Sequence, residues 1–392
     1  MSKLLVYLFV VVLTWSCQRQ ITNSFTHKSE RERFIIEKTH FIDSVFQYLP
    51  DLKNEKKYQA AFWASELMLK KSPVDSANLC FAFDHFAEYS DNFKLSLLQH
   101  MYTLYPKNFV KQMDSLIRLE RDEKRFAIMA NQLIRIDSSN VDFTHSLMKK
   151  NFEQWNENPI LKAFSESYAT VHGLTKTQVH DLFKFRANSK KASFFVFVNK
   201  NRDIPGYLII QKENGEVVKE NGDTLKFRLL ARSITNLPEY ITNGNTPQGV
   251  YSVQDFSISD NVFIGKTPTI ISRLPLETSL TDFSFGKKKG DWTLEQYNQF
   301  FPESWSNYLP KNRAFYAGKA GRSEIILHGT TIDTDFYKSQ SYYPFTPSLG
   351  CLCLLERWDS FNGNLIESEQ RRLINTLKKH RILKALMYII EF

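Results

Sequence analysis

A cysteine and a histidine can together cut and remake acyl bonds, and one stretch of this chain holds both. His328-Gly329-Thr330 ends an apolar run, and Ser348-Leu349-Gly350-Cys351 follows after a loop. A thiol attacks only as thiolate, and a neighbouring imidazole lowers its pKa and later carries the proton to the leaving amine. Cys351 is therefore the candidate nucleophile and His328 the candidate general base and acid. Gly350 lets a substrate carbonyl approach the backbone, where N–H groups around Leu349, Gly350 and Cys351 could form an oxyanion hole in a turn shaped by Ser348.

The elements that must position these residues change character along the chain. From 29 to 185 the pattern is helical: Phe93, Leu97, Met101 and Leu104 form one apolar stripe, and Phe126, Met129, Ala130 and Leu133 repeat it. Ser72-Pro73 and Asn158-Pro159 read as N-caps with proline at the first helical position. From 192 to 392 short β-branched and aromatic runs predict strands near 194–198, 207–210, 224–230, 250–253, 269–271, 325–327 and 386–390. Asn214-Gly215, Asn221-Gly222 and Asn243-Gly244 mark tight turns between them. Helical inserts are expected within about 285–320, where Trp292 to Tyr308 is aromatic-rich, and over 368–379. The expected fold class is α+β: an all-α helical module, then a β-rich domain.

Length and composition agree with two globular domains. The net charge of +9 is spread along the chain of 392 residues, so no basic arm or helix points to nucleic acid. His40, His85, His100 and His145 show no metal-ligand spacing and read as core or surface residues. Residues 1–17 pair Lys3 with an apolar stretch too short to span a bilayer, and Ser16 precedes Cys17. This segment resembles a bacterial lipoprotein signal, which implies lipidation of Cys17, a polar tether over 18–28, and a membrane-anchored protein in the cell envelope. Cys353 is expected on the strand face opposite Cys351, as a buried small apolar residue unable to form a disulfide with it.

A third piece lies upstream, Thr246-Pro247-Gln248-Gly249-Val250-Tyr251, which opens a strand. With His328-Gly329-Thr330 and Ser348-Leu349-Gly350-Cys351 in the same order, residues 192–392 resemble the L,D-transpeptidase catalytic domain family (YkuD-like). The resemblance implies an L,D-transpeptidase-like catalytic domain with Cys351 as nucleophile, His328 as base and the Gly329 carbonyl orienting the imidazole. It implies peptidoglycan peptide stems as substrate, a thioester intermediate resolved by a second stem, and neither metal nor organic cofactor. Hydrolysis of the same bond, as an L,D-carboxypeptidase or endopeptidase, and cell-wall binding without turnover are the rival readings. The chain departs from the family pattern where Leu349 replaces the usual histidine and Cys353 the usual arginine. Substrate-carboxylate anchoring is then expected from Arg322, Lys338 or Arg357, with Thr330, Arg357 and Tyr343 as candidate substrate contacts. The aromatic loop Phe336 to Phe345 and the insert from Trp292 to Tyr308 are candidate lids over the thiol. What the helical module contacts is not readable from its residues.

Overall fold

The computed structural model describes residues 24–169 and 173–392, so the signal-like segment with Cys17 and most of the expected tether lie outside the described residues. Among the described residues nine α-helices fill the first half: α1 (Lys28–Phe46), α2 (Glu55–Met68), α3 (Asp75–Asp84), α4 (Asp91–Leu104), α5 (Val110–Ile117), α6 (Glu123–Ile136), α7 (Asn140–Asn151), α8 (Pro159–Ser167) and α9 (Lys176–Asn188). Their starts follow local chemistry. Ser90 caps α4 by accepting from the Phe93 N–H, Asp122 caps α6, and Thr175 with Gln178 forms a capping box on α9. Asn158-Pro159 opens α8 as expected. Ser72-Pro73 does not open a helix: Ser72 O accepts from the Asp75 N–H in a turn, and α3 begins at Asp75. The Phe93 and Phe126 stripes are fully buried, and His100 is a core residue whose Nε2 lies 3.0 Å from Asp75 Oδ2.

The second half is a closed barrel. In chain order its strands are β1 (Ser193–Val198), β2 (Gly206–Gln211), a surface hairpin of β3 (Lys219–Glu220) and β4 (Asp223–Thr224), β5 (Phe227–Leu230), β6 (Gly249–Ser257) and β7 (Thr269–Arg273). Three helices follow, α10 (Leu280–Phe283), α11 (Leu294–Asn298) and α12 (Arg313–Lys319), and then β8 (Leu327–His328), β9 (Leu352–Leu354), β10 (Glu356–Trp358), β11 (Leu365–Ser368), α13 (Glu369–Lys379) and β12 (Ala385–Glu391). The barrel order is β1-β12-β6-β7-β8-β9-β5-β2, with β10 and β11 paired outside it. Five of the seven expected strands form closely as expected; the 224–230 run is divided between β4 and β5, and of 325–327 only Leu327 lies in a strand, β8. β9 supplies the strand that the Cys353 expectation assumed, though it was not among the seven apolar runs, and the helix expected within Trp292 to Tyr308 is only α11, which ends at Asn298 ahead of Pro302. The chain is thus mixed α and β with an N-terminal helical region.

Alternation along the strands sorts side chains into two cores. Phe194, Val196, Met387, Ile389, Ile270, Leu327, Leu352 and Leu354 point into the barrel, where α13 adds Leu373, Ile374 and Leu377. Phe195, Phe197, Leu386, Tyr388 and Ile390 point outward and join Tyr297, Phe300, Phe301, Trp305 and the helical residues in one continuous cluster. β1 and β12 are therefore covered on both faces, which is why their sequences are unbroken apolar runs. The Trp292–Tyr308 insert accordingly covers the barrel, not the thiol. The aromatic loop does likewise: Tyr337, Tyr342 and Phe345 pack on Leu230 and Leu355.

Candidate active site

Three neighbouring strands carry the site on the outer barrel face. β7 pairs with β8 through Ile270 and Leu327, and β8 runs parallel to β9 with Leu327 opposite Leu352 and His328 opposite Cys353. Because Ile270, Leu327, Leu352 and Leu354 face inward, Arg273, His328, Cys351 and Cys353 share the other side. All four line one cavity of about 670 Å³, together with Ser348, Leu349 and Thr330. The expectation that Cys353 turns away from Cys351 is thus corrected: positions two apart on a strand share a face. Cys353 is nonetheless buried, and both thiols are free.

The three sequence motifs converge at this point. Thr246 Oγ1 donates to Gly350 O at 2.9 Å, fixing the upstream Thr-Pro-Gln-Gly segment to the turn before Cys351. Ser348 Oγ donates to Cys351 O at 2.8 Å and accepts from the Gly350 N–H at 3.1 Å. Of the expected oxyanion donors, the Gly350 N–H is therefore already engaged. Gly350 has φ +114°, and a Cβ there would strike the Arg322 guanidinium. Only glycine fits that turn.

His328 is buried, with Nδ1 2.6 Å from Gly329 O. A carbonyl only accepts, so Nδ1 carries the proton and Nε2 is left as the basic nitrogen. Burial holds the imidazole below its ordinary pKa, with the Gly329 carbonyl pulling the other way. From behind, the turn is clasped by β10. Glu356 is fully buried against Gly329, where a Cβ would overlap its carboxyl group, and the Trp358 indole donates to Thr330 O at 2.7 Å. Burial pushes the Glu356 carboxyl up to about 7. Neither residue was singled out from sequence; a glutamate closing the apolar run Leu352 to Leu355 was the available signal.

The Cys351 thiol contacts Glu324 O at 3.4 Å rather than the imidazole. The register explains this, since it sets Cys353 directly beside His328 and leaves Cys351 two residues back, just before β9. Burial pushes the Cys351 thiol above its ordinary value, opposed by the Ile326 N–H and by Arg322. Burial thus biases the resting pair towards a neutral thiol and a neutral imidazole. Alkylation of Cys351 by iodoacetamide should therefore speed up with pH and still be rising above 9.0, the ordinary thiol value. A rate that levels off below pH 8, read by peptide mass spectrometry, would instead mean a preformed thiolate–imidazolium pair.

The expected substrate contacts are only partly brought together. Thr330 lines the cavity, but its hydroxyl serves the turn, donating to Phe263 O and accepting from the Ile332 N–H. Arg357 points to solvent beside Glu367, because alternation on β10 turns Glu356 and Trp358 inward. Tyr343 is outside the cavity, its hydroxyl donating to Asp335 at 3.0 Å, and Lys338 is exposed. Arg322 is in the wall, yet its guanidinium donates to the carbonyls of Glu239, Gly244 and Asn245 and so locks that loop.

Arg273, which the sequence reading missed, is the better placed cation. Its Nη1 pairs with Glu277 at 2.6 Å, Glu277 accepts from the Glu324 N–H, and Glu324 O meets the Cys351 thiol. The guanidinium is linked to the thiol through Glu277 and Glu324, with Nε and Nη2 free for a ligand among the described residues. Its only signal was a cation ending an alternating strand, Thr269-Ile270-Ile271-Ser272-Arg273. Among the described residues no group of three or more His, Cys, Asp or Glu could hold a metal ion, and no helix is long and apolar enough to cross a membrane. Comparison with protein-family models, curated proteins and solved structures finds no match to this chain.

Proposed function

We propose that this protein is a peptidoglycan L,D-transpeptidase that works through a Cys351 thioester. The observation that carries the reading is that Cys351 and a Gly329-oriented His328 line one cavity, on the turn that Thr246 ties down. The closed eight-stranded barrel is not a typical sheet for that family, so the reading rests on the site and not on the fold.

In this reading Cys351 Sγ attacks the amide carbon after the L-centre of diaminopimelate in a tetrapeptide stem. The thiol proton passes to His328 Nε2 and then to the departing D-alanine amine as the C–N bond breaks and the C–S bond forms. The amine of a second stem attacks the thioester, and the thiol is released. Rotation of the thiol from Glu324 O towards the imidazole precedes the first step. No metal or organic cofactor is required. Cys353 sits nearer His328 in register, but it is buried and its thiol is pushed far up by desolvation, which favours Cys351 as nucleophile.

Arg273 supplies the cationic anchor for the substrate carboxylate that Cys353 cannot. Arg273→Ala should raise KM for a stem donor by about 10- to 100-fold, the cost of losing one charge-assisted hydrogen-bonded pair, with a smaller change in kcat. Equal kinetics for wild type and variant would remove Arg273 from substrate binding. The proposed setting is the cell envelope, with a lipid on Cys17 as anchor.

Incubation with tetrapeptide muropeptides and mass analysis of products tests the reaction. Cross-linked dimers support transpeptidation. Trimmed tripeptides make the protein a carboxypeptidase on the same bond, and unchanged substrate beside an active control leaves only a wall-binding role.

A further inference from the structure

The cavity that holds Cys351 is not closed by the barrel alone. Trp63 and Leu67, one turn apart on α2, form part of its wall, so the helical region faces the thiol across the cavity. Leu67 is buried, whereas Trp63 remains 40% exposed. The placement is braced on both sides: Tyr337 donates to Leu67 O at 3.1 Å, and Phe263 packs edge-on against Phe25 and Phe34 at the start of the helical region. The same wall also carries Asn243 and Asn261. The Asn243 side-chain amide and the Asn261 amide nitrogen make no hydrogen bond among the described residues, while Asn261 Oδ1 accepts from the Phe263 N–H.

A partly exposed indole in a wall that also carries two unused amides suits a ligand with one apolar face and hydroxyls at its edge. A pyranose ring has that form: its C–H face packs on the indole and its hydroxyls bond the amides. A cavity of about 670 Å³ also has room for more than the few atoms around a scissile amide. We infer that Trp63 is a saccharide-binding residue, through which the helical region reads the glycan carrying the stem that Cys351 attacks. As regards the stem, this rests on the proposed reaction; the saccharide site itself does not.

Two measurements on the full chain separate the two ideas. In the first, a disaccharide-tetrapeptide and a free tetrapeptide are compared as acyl donors. Wild type should prefer the disaccharide form roughly three- to tenfold in kcat/KM, the scale of one aromatic stacking contact. Trp63→Ala should erase that preference, and Trp63→Phe should keep part of it. Equal use of both donors by wild type, or an equal loss on both in Trp63→Ala, overturns the inference. In the second, calorimetry follows the peptide-free disaccharide binding to wild type and to Trp63→Ala. Binding that depends on Trp63 without acylation of Cys351 by either donor sinks the reaction and leaves the saccharide site standing. Acylation without Trp63-dependent binding does the reverse.

Discussion

Cys351→Ala is expected, under the proposed reaction, to abolish thioester formation and to lower turnover of tetrapeptide donors by at least about 10³-fold, whereas Cys353→Ala should keep most of it. The contrast matters because the β8–β9 register places Cys353, not Cys351, directly opposite His328. Position along the strand would favour the wrong thiol. Access reverses the order, because Cys351 is half-buried at the cavity wall while Cys353 is 2% exposed with its thiol held far above the ordinary range. Neither substitution removes a large core side chain, so both variants are expected to fold. Carbapenem adducts read by intact-protein mass check the prediction. A Cys351→Ala protein that still acquires the adduct would move the nucleophile to Cys353.

His328→Gln lowers kcat/KM by about 10²- to 10⁴-fold, the usual contribution of a positioned acid and base. Glutamine can still donate to the Gly329 carbonyl, so the turn survives while the basic nitrogen is lost. The pH profile of wild type gives a second handle. Burial lowers the imidazole pKa, so His328 stays neutral and able to accept a proton below its ordinary 6.5. Burial raises the thiol, so the neutral resting pair persists above 9.0. The kcat/KM plateau should therefore begin below pH 6.5, where the acid limb reports His328, and extend beyond pH 9.0. An acid limb centred above 6.5 would mean that the imidazole is stabilised as a cation, contrary to its buried setting.

The legible parts of this chain were those written in local chemistry. The Phe93 and Phe126 stripes, the Asn158 cap and the apolar runs that became β1 and β12 all declared themselves, since burial of one helix face or of both strand faces leaves a periodic or continuous signature. The three motif pieces were grouped by their resemblance to a known family, which also implied the Gly329 carbonyl beside the imidazole. Closure of the barrel was not legible. It depends on β9, a three-residue strand whose Leu-Cys-Leu gives too little alternation to recognise. Arg273 and Trp63 were missed because nothing local marks them. Each becomes part of the site only when distant segments meet around the cavity. Arg357, expected from nearness in sequence to Cys351, and Tyr343 lie outside the cavity lining because strand alternation and an Asp335 hydrogen bond take them elsewhere.

The most direct test of the central claim is the intact mass of the protein quenched in acid during turnover of a tetrapeptide donor. Acyl transfer through Cys351 predicts a mass increase equal to the donor less D-alanine, mapped to the Cys351 peptide and discharged by an added amine. An unshifted mass, with an L,D-transpeptidase control acylated in the same mixture, would contradict a covalent mechanism at this site.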